Sequence, residues 1–424
     1  MQNINNSKFS IYRTVLPNGI VLLVSENPAA DIIAGRIFIR AGSCYENREQ
    51  AGLAHLLSAV MTKGCDGLSS LEIAEKVESV GASLSVDAGT DYFLLSLKTV
   101  TADFAEILTL SGLLLRSPTF PENQIELEKR LALQDIRSQK EQPFNLAFEQ
   151  MRQAMYQAHP YSMSVLGTEP TISSITRADL AAFHQTHFRP DNIVISIAGR
   201  ITADAAVELV AEIFGDWLQP AQPRHILDLP AISVTPKSCL KPLNTQQSIV
   251  MLGYMGPSVS APGYAALKLL STYLGNGLSS RLFVELREKR GLAYDVSAIY
   301  STRLFPSSFI VYMGTAPENT SIALQGLRQE VERLCNTELS ADELQTAKNK
   351  ILGQYALGKQ TNGQIAQIYG WYEILGLGIE FDHDFPELIY KVSPKLAMIA
   401  ANRYLQEPYV SLVGQEQAIT SVNC

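Results

Sequence analysis

The second half of this 424-residue chain repeats the first. Asp179-Leu-Ala-Ala-Phe, leading to Ile193-Val-Ile-Ser-Ile-Ala-Gly199, is matched by Lys395-Leu-Ala-Met-Ile, leading to Tyr409-Val-Ser-Leu-Val-Gly414. Gly199 and Gly414 lie at an offset of 215, and Gly81 and Gly291, each closing a helical pattern, at an offset of 210. A supersecondary series repeated at such an offset specifies two similar folding units, each with its own core. At 46% hydrophobic and 18% charged residues, the chain has enough apolar surface for two such cores.

Apolar periodicity supplies the elements. In the first half, strands are expected at 19–26, 32–42 and 192–198, and a hairpin at 82–98 bending near 87–91. Helices are expected at 50–63, 69–80, 102–115, 121–140, 144–157, 177–187 and 203–214. The second half restarts with a strand at 247–254, helices at 261–274 and 278–290, a hairpin at 292–314 and long helices after Pro317. The expected fold class is α+β: two halves from duplication, each a mostly antiparallel sheet with helices packed on one face, facing across a cleft. The halves are 1–218 and 245–424. Between them, the stretch 219–244 holds Pro220, Pro223, Pro230 and Pro236 with few apolar patterns, the composition of a semi-extended linker.

Bulk chemistry excludes several functions. A formal net charge of −8 without a basic cluster argues against nucleic acid or an anionic membrane as partner. No apolar run reaches membrane-spanning length, and the N-terminal residues carry no targeting pattern, so a cytoplasmic location is expected. The five cysteines, Cys44, Cys65, Cys239, Cys335 and Cys424, are odd in number and widely spread, which favours reduced thiols.

The stretch Leu286-Arg-Glu-Lys-Arg-Gly-Leu-Ala-Tyr294 carries the most chemistry. Leu278, Leu282 and Leu286 recur at helical spacing, Ser279 is placed as an N-cap, and Gly291 is expected to end the helix in the left-handed conformation. Leu292, Tyr294, Val296, Ala298 and Tyr300 then alternate as a strand. A helix end and an adjoining strand thus direct Arg287 and Tyr294 to one place, a guanidinium and a phenol suited to a carbonyl oxygen gaining negative charge. The plain alternative is a surface arginine and a half-buried strand tyrosine.

This run resembles the second-half signature of the pitrilysin, insulysin and mitochondrial processing peptidase family, the inverzincins. In that family an Arg and a Tyr so spaced hold the substrate carbonyl near a zinc ion bound by the other half. The resemblance extends from about Thr14 to Gly414, and the flanks of Gly52-Leu-Ala-His-Leu-Leu-Ser-Ala-Val-Met-Thr-Lys-Gly64 also fit the family. There the resemblance implies His-x-x-Glu-His, two zinc ligands on one helix face with a glutamate base between them. His55 fills the first position, but Ser58 stands at the base and Ala59 at the second histidine. Asp135, seven positions after Glu128, stands where the third ligand is implied.

Alanine offers no donor atom, and serine does not replace a glutamate base near neutral pH. No metal is therefore expected on this chain. His55, Ser58, Ala59 and Asp135 are vestigial positions, with His55 and Asp135 expected to bond to each other or to water. His184 and His187, at i and i+3 on a helix, lack a third ligand and read as structural, as does His159 in its His-Pro-Tyr loop. The resemblance also implies that the strand at Ala82, Ser83, Leu84 and Ser85 pairs with an extended peptide, although Ser85 replaces the family's asparagine.

The family includes pairs of half-length chains in which one keeps the zinc motif and the other keeps Arg and Tyr. The expected function is accordingly that of a non-zinc subunit in a heteromeric zinc metallopeptidase. Arg287 and Tyr294 are its catalytic residues, the zinc is in a homologous partner with intact His-x-x-Glu-His, and the substrate is a peptide or unfolded protein. The alternative is an inactive peptide-binding or structural protein of peptidase fold, possibly a homodimer. A third reading, an independent peptidase with a relocated metal, points first to His184 and His187.

Overall fold

The computed structural model describes residues 2–3, 10–225 and 227–422. Its compact units interleave along the chain. Unit 1 comprises residues 1–136, 163–228 and 356–383, and unit 2 comprises 137–162, 229–355 and 384–424.

Unit 1 is built on the strands β1 (Gln2–Asn3), β2 (Ile11–Val15), β3 (Val21–Glu26), β4 (Ile32–Ile39), β7 (Ser83–Ala88), β8 (Phe93–Val100) and β9 (Ile193–Gly199), in the order β1-β2-β3-β9-β4-β8-β7. A separate two-strand ribbon, β5 (Gly64–Cys65) and β6 (Leu68–Ser69), follows the first long helix. Only the β3–β9 pairing in the large sheet is parallel; β9 lies near the middle and every residue in it is buried. β8 alternates as a half-covered strand must: Phe93, Leu95, Leu97 and Thr99 are buried, while Lys98 and Val100 are exposed. Its buried apolar residues join Ile33 and Ile37 of β4 in a core with Leu56 and Leu57 of helix Leu53–Met61 and Leu108 and Leu114 of helix Phe104–Arg116.

The helix Asn362–Ile374, from the second half of the sequence, covers the opposite face of this sheet along β3, β9 and β4. Its approach depends on Gly370, where an added Cβ would lie 2.3 Å from Cε2 of the fully buried Phe38. Arg13 of β2 donates to both carboxylate oxygens of Glu373, at 3.0 and 2.7 Å, and Asn362 donates to the Ile32 carbonyl at 2.9 Å.

Unit 2 holds β10 (Ser238–Pro242), β11 (Ser248–Gly256), β12 (Asp295–Tyr300), β13 (Ser307–Thr315) and β14 (Tyr409–Gly414), in the order β10-β14-β11-β13-β12. β10 forms inside the stretch read as linker, pairing parallel with β14. Pro242 is tolerated there because β10 is an edge strand. Helix Pro143–Tyr156, from the first half of the sequence, packs on β11 and β14. Here the strand supplies the space, since a Cβ on Gly253 would meet the Met151 sulfur at 2.4 Å. The duplicated units thus solve the same helix-on-sheet contact from opposite sides, with a helix glycine against a strand phenylalanine in one and a strand glycine against a helix methionine in the other.

Candidate functional site

The position of the family zinc site is well formed as a helix and poor as a ligand set. Helix Leu53–Met61 begins after Gly52, whose φ is +94° and whose missing Cβ would strike Ile172 Cδ1 at 2.6 Å. The buried Glu46 carboxylate accepts from the backbone N–H of Gly52 at 2.9 Å and of Ala54 at 2.6 Å, anchoring the helix start. Burial pushes the Glu46 carboxyl up to about 8, against the downward pull of those two hydrogen bonds.

On that helix His55 is half-buried, and desolvation holds its imidazole below the usual range while Asp135, Glu128 and Asp87 pull the other way. Asp135 is exposed on the helix Glu122–Glu141 and makes no direct hydrogen bond to His55, so of the two expected arrangements the direct pair is not the one formed; its charge acts on His55 through space. Glu128 is ion-paired with Lys63 at 3.0 Å. The Ser58 hydroxyl is turned back along its own helix, donating to the His55 carbonyl at 2.8 Å, and Ala59 has no donor atom. Among the described residues no group of three His, Cys, Asp or Glu is placed to hold a metal. One imidazole and one exposed carboxylate do not fit a catalytic zinc.

The second constellation is exposed. The helix expected over 278–290 is shorter: residues 277–280 form a turn closed by Ser280 N–H to the Gly277 carbonyl, Leu278 is 76% exposed, and Ser279 caps nothing. Helical structure runs over 281–288, with Phe283–Glu288 in π-helical form. Leu282 and Leu286 are fully buried, and Arg287 faces outward with its guanidinium over the Phe283 ring at 4.8 Å. Gly291 takes φ +63° as expected and returns the chain toward β12.

Gly81 in the first half has the same φ of +63°, so the two copies can be compared turn by turn. After Gly81, the Ala82 N–H reaches back five residues to the Val77 carbonyl, the pattern of a helix closed by a left-handed glycine. After Gly291, the Leu292 N–H reaches back six residues to the Leu286 carbonyl. The additional residue is the one the π turn accommodates, and it lies beside Arg287. Tyr294 follows three residues after Gly291, held by its N–H to the Gly314 carbonyl at 2.9 Å, with a side chain 61% exposed. Among the described residues neither Arg287 nor Tyr294 makes a side-chain hydrogen bond or ion pair, so both sets of donors are free.

β7 is an edge strand of its sheet, at the end opposite β1, with Ser83, Ser85 and Asp87 exposed. Ala82 immediately precedes it, and Leu84 is half-buried. His184, His187 and His159 are buried and packed among aromatic rings. His184 is buried between Phe188, stacked at 4.6 Å, and Phe120, and its Nε2 lies 2.9 Å from the Leu115 carbonyl. His187 packs edge-on against Tyr45 at 5.0 Å. Burial pushes both down to about 4. His159, also pushed down to about 4 by burial, accepts the Tyr161 N–H on Nδ1. Glu46 has no signal in the sequence that marks its anchoring role, since Glu49 stands even nearer to Gly52.

No helix among the described residues is long and apolar enough to cross a membrane. Residues 21–169 match the family described as Insulinase (Peptidase family M16), and residues 174–351 match the Peptidase M16 inactive domain. A protein of Rickettsia bellii described as an uncharacterized zinc protease is 25% identical over 414 residues, 97% of each chain. A Mycobacterium leprae protein with the same description is 28% identical, covering 82% of this chain and 79% of its own. Among solved structures, a peptidase M16 inactive domain from Pseudomonas fluorescens superposes with a TM-score of 0.89 at 25% identity, over 96% of this chain and 98% of that one. A protease from Helicobacter pylori gives 0.88 at 20% identity, over 95% and 98%.

Proposed function

Since the chain belongs to the M16 peptidase family while its own metal position lacks the donors for zinc, we propose that it serves as the non-zinc subunit of a heteromeric metallopeptidase. In this reading the partner is a homologous chain with intact His-x-x-Glu-His. This chain supplies Arg287 and Tyr294. As a peptide bond is attacked, the guanidinium N–H groups and the phenol O–H donate to the carbonyl oxygen on which negative charge develops. Donors fixed in advance contribute about 3 kcal/mol each to a transition state. The Gly291 turn and the backbone bond from the Tyr294 N–H to the Gly314 carbonyl hold the main chain from which the two side chains project. The edge strand β7 contributes part of the peptide-binding surface through backbone pairing.

The observation that carries this reading is the contrast between the two sites. At the metal position the Ser58 hydroxyl is spent on its own helix and Ala59 has no donor, leaving one imidazole and one exposed carboxylate, whereas Arg287 and Tyr294 keep their donors outward beside a π turn that the described residues of the first half do not have. The test is a native co-purification from the source cells, with peptide hydrolysis and zinc content measured on the eluate. A second chain carrying His-x-x-Glu-His, with chelator-sensitive hydrolysis, is the expected outcome. Recovery of this chain alone or as a homodimer, without hydrolysis, replaces the reading with that of an inactive peptide-binding protein of peptidase fold.

A further inference from the structure

A cavity of about 880 Å³ opens within unit 1, on the sheet face that carries helix Asn362–Ile374, and none of its residues takes part in the function proposed above. Two cations line it. Arg36 stands alone in the apolar strand Ile32-Ile-Ala-Gly-Arg-Ile-Phe-Ile39, and Lys98 of β8 pairs in register with Ala34, so both project from one face. No aspartate or glutamate lines the cavity.

Arg36 is half-buried, and Nη1 donates to the carbonyls of Gly35 at 2.9 Å and Leu97 at 3.2 Å. Those bonds fix the guanidinium without neutralising it. Its Nη2 lies against the first turn of helix Asn362–Ile374, where a Cβ on Gly363 would be 3.0 Å away. The positive end of a helix dipole and a desolvated guanidinium are thus set side by side, and burial lowers the Arg36 pKa with no carboxylate to oppose it. Lys98 has no hydrogen bond or ion pair to a described residue. In a chain of net charge −8, leaving two cations and a helix start together without an acid is an arrangement that an anion completes. The rest of the lining is suited to a peptide. Gln360 and Gln367 offer amides, and Tyr92 and Trp371 offer aromatic faces.

We propose that this cavity binds the carboxylate of an acidic peptide, with Arg36 and Lys98 as counter-charges and Trp371, Gln360 and Gln367 along the adjoining peptide. The carboxylate is a side chain or a C-terminus, and the ligand chemistry is the same.

The experiment is isothermal titration calorimetry on the full chain without a partner, so that its outcome is independent of any peptidase activity. Three probes separate the sources: acetyl-tetraglutamate amide, tetraalanine with a free C-terminus, and acetyl-tetralysine amide. Binding of the first identifies side-chain carboxylates and binding of the second a C-terminus. In either case the expected behaviour is weakening by salt and loss of roughly tenfold or more in affinity in both Arg36→Gln and Lys98→Gln. Lys98→Gln removes no contact within the fold, so it remains informative if Arg36→Gln, which loses two carbonyl partners, fails to fold. The proposal is overturned if neither acidic probe binds, if tetralysine binds as well as they do, or if a folded Lys98→Gln binds them unchanged.

Discussion

His184 makes a quantitative acid-stability prediction. Its imidazole is buried against Phe188 and Phe120 and held to the Leu115 carbonyl, and its pKa falls from 6.5 to about 4 in the folded chain. The folded state therefore binds fewer protons than the unfolded state between these values, and stability is lost as pH falls through that window. At pH 7.5 both states are neutral at His184 and the group contributes almost nothing to the pH dependence. By pH 4.5 the unfolded histidine is protonated and the folded one largely is not, a difference of about 2.5 kcal/mol against folding. His184→Gln keeps a side-chain N–H for Leu115 and removes the titration. Urea unfolding of both proteins at pH 7.5 and 4.5 measures the effect. The wild type is expected to lose about 2.5 kcal/mol more than the variant over this range. Parallel losses in the two proteins would refute the assignment of a buried, neutral imidazole.

Two further predictions concern glycines that the fold uses differently. Gly370→Ala places a methyl group 2.3 Å from the Phe38 ring, in a helix where alanine would otherwise be favoured, and should destabilise the chain by about 1–3 kcal/mol in thermal or urea unfolding, with Phe38→Leu in the same chain recovering part of the loss. Gly291 has nothing within 4 Å of an added Cβ, so the cost of Gly291→Ala is backbone alone, about 1–2 kcal/mol for the left-handed conformation, and Gly291→Asn should cost less than Gly291→Val in the same assay.

The sequence is most legible where structure is decided locally. Helices Arg177–His187 and Ala203–Phe214 lie at 177–187 and 203–214, as their patterns predict, because Thr176 with Asp179 forms a capping box and Thr202 caps the second helix start. The left-handed turn at Gly291 and the chain's M16 membership were also readable, the latter from the flanks of His55 and the run to Tyr294. Three things were not. The helix before Gly291 starts late because Leu278, counted in the apolar series, is solvent-exposed, and a π turn has no period that a 3.6-residue search detects. β10 depends on parallel pairing with β14 some 170 positions away, as in Ser238 with Val410. The setting of Arg36 depends on a helix more than 300 positions later, although one arginine in an eight-residue apolar strand was a visible anomaly.

The most direct measurement of the central claim is the turnover of the reconstituted heteromeric complex with Tyr294→Phe in this chain. Replacing the phenol removes one outward donor and no contact within the fold. The account predicts that kcat falls by about 10²-fold while complex assembly and zinc content stay as they were. An unchanged kcat in an assembled, zinc-loaded complex would contradict it.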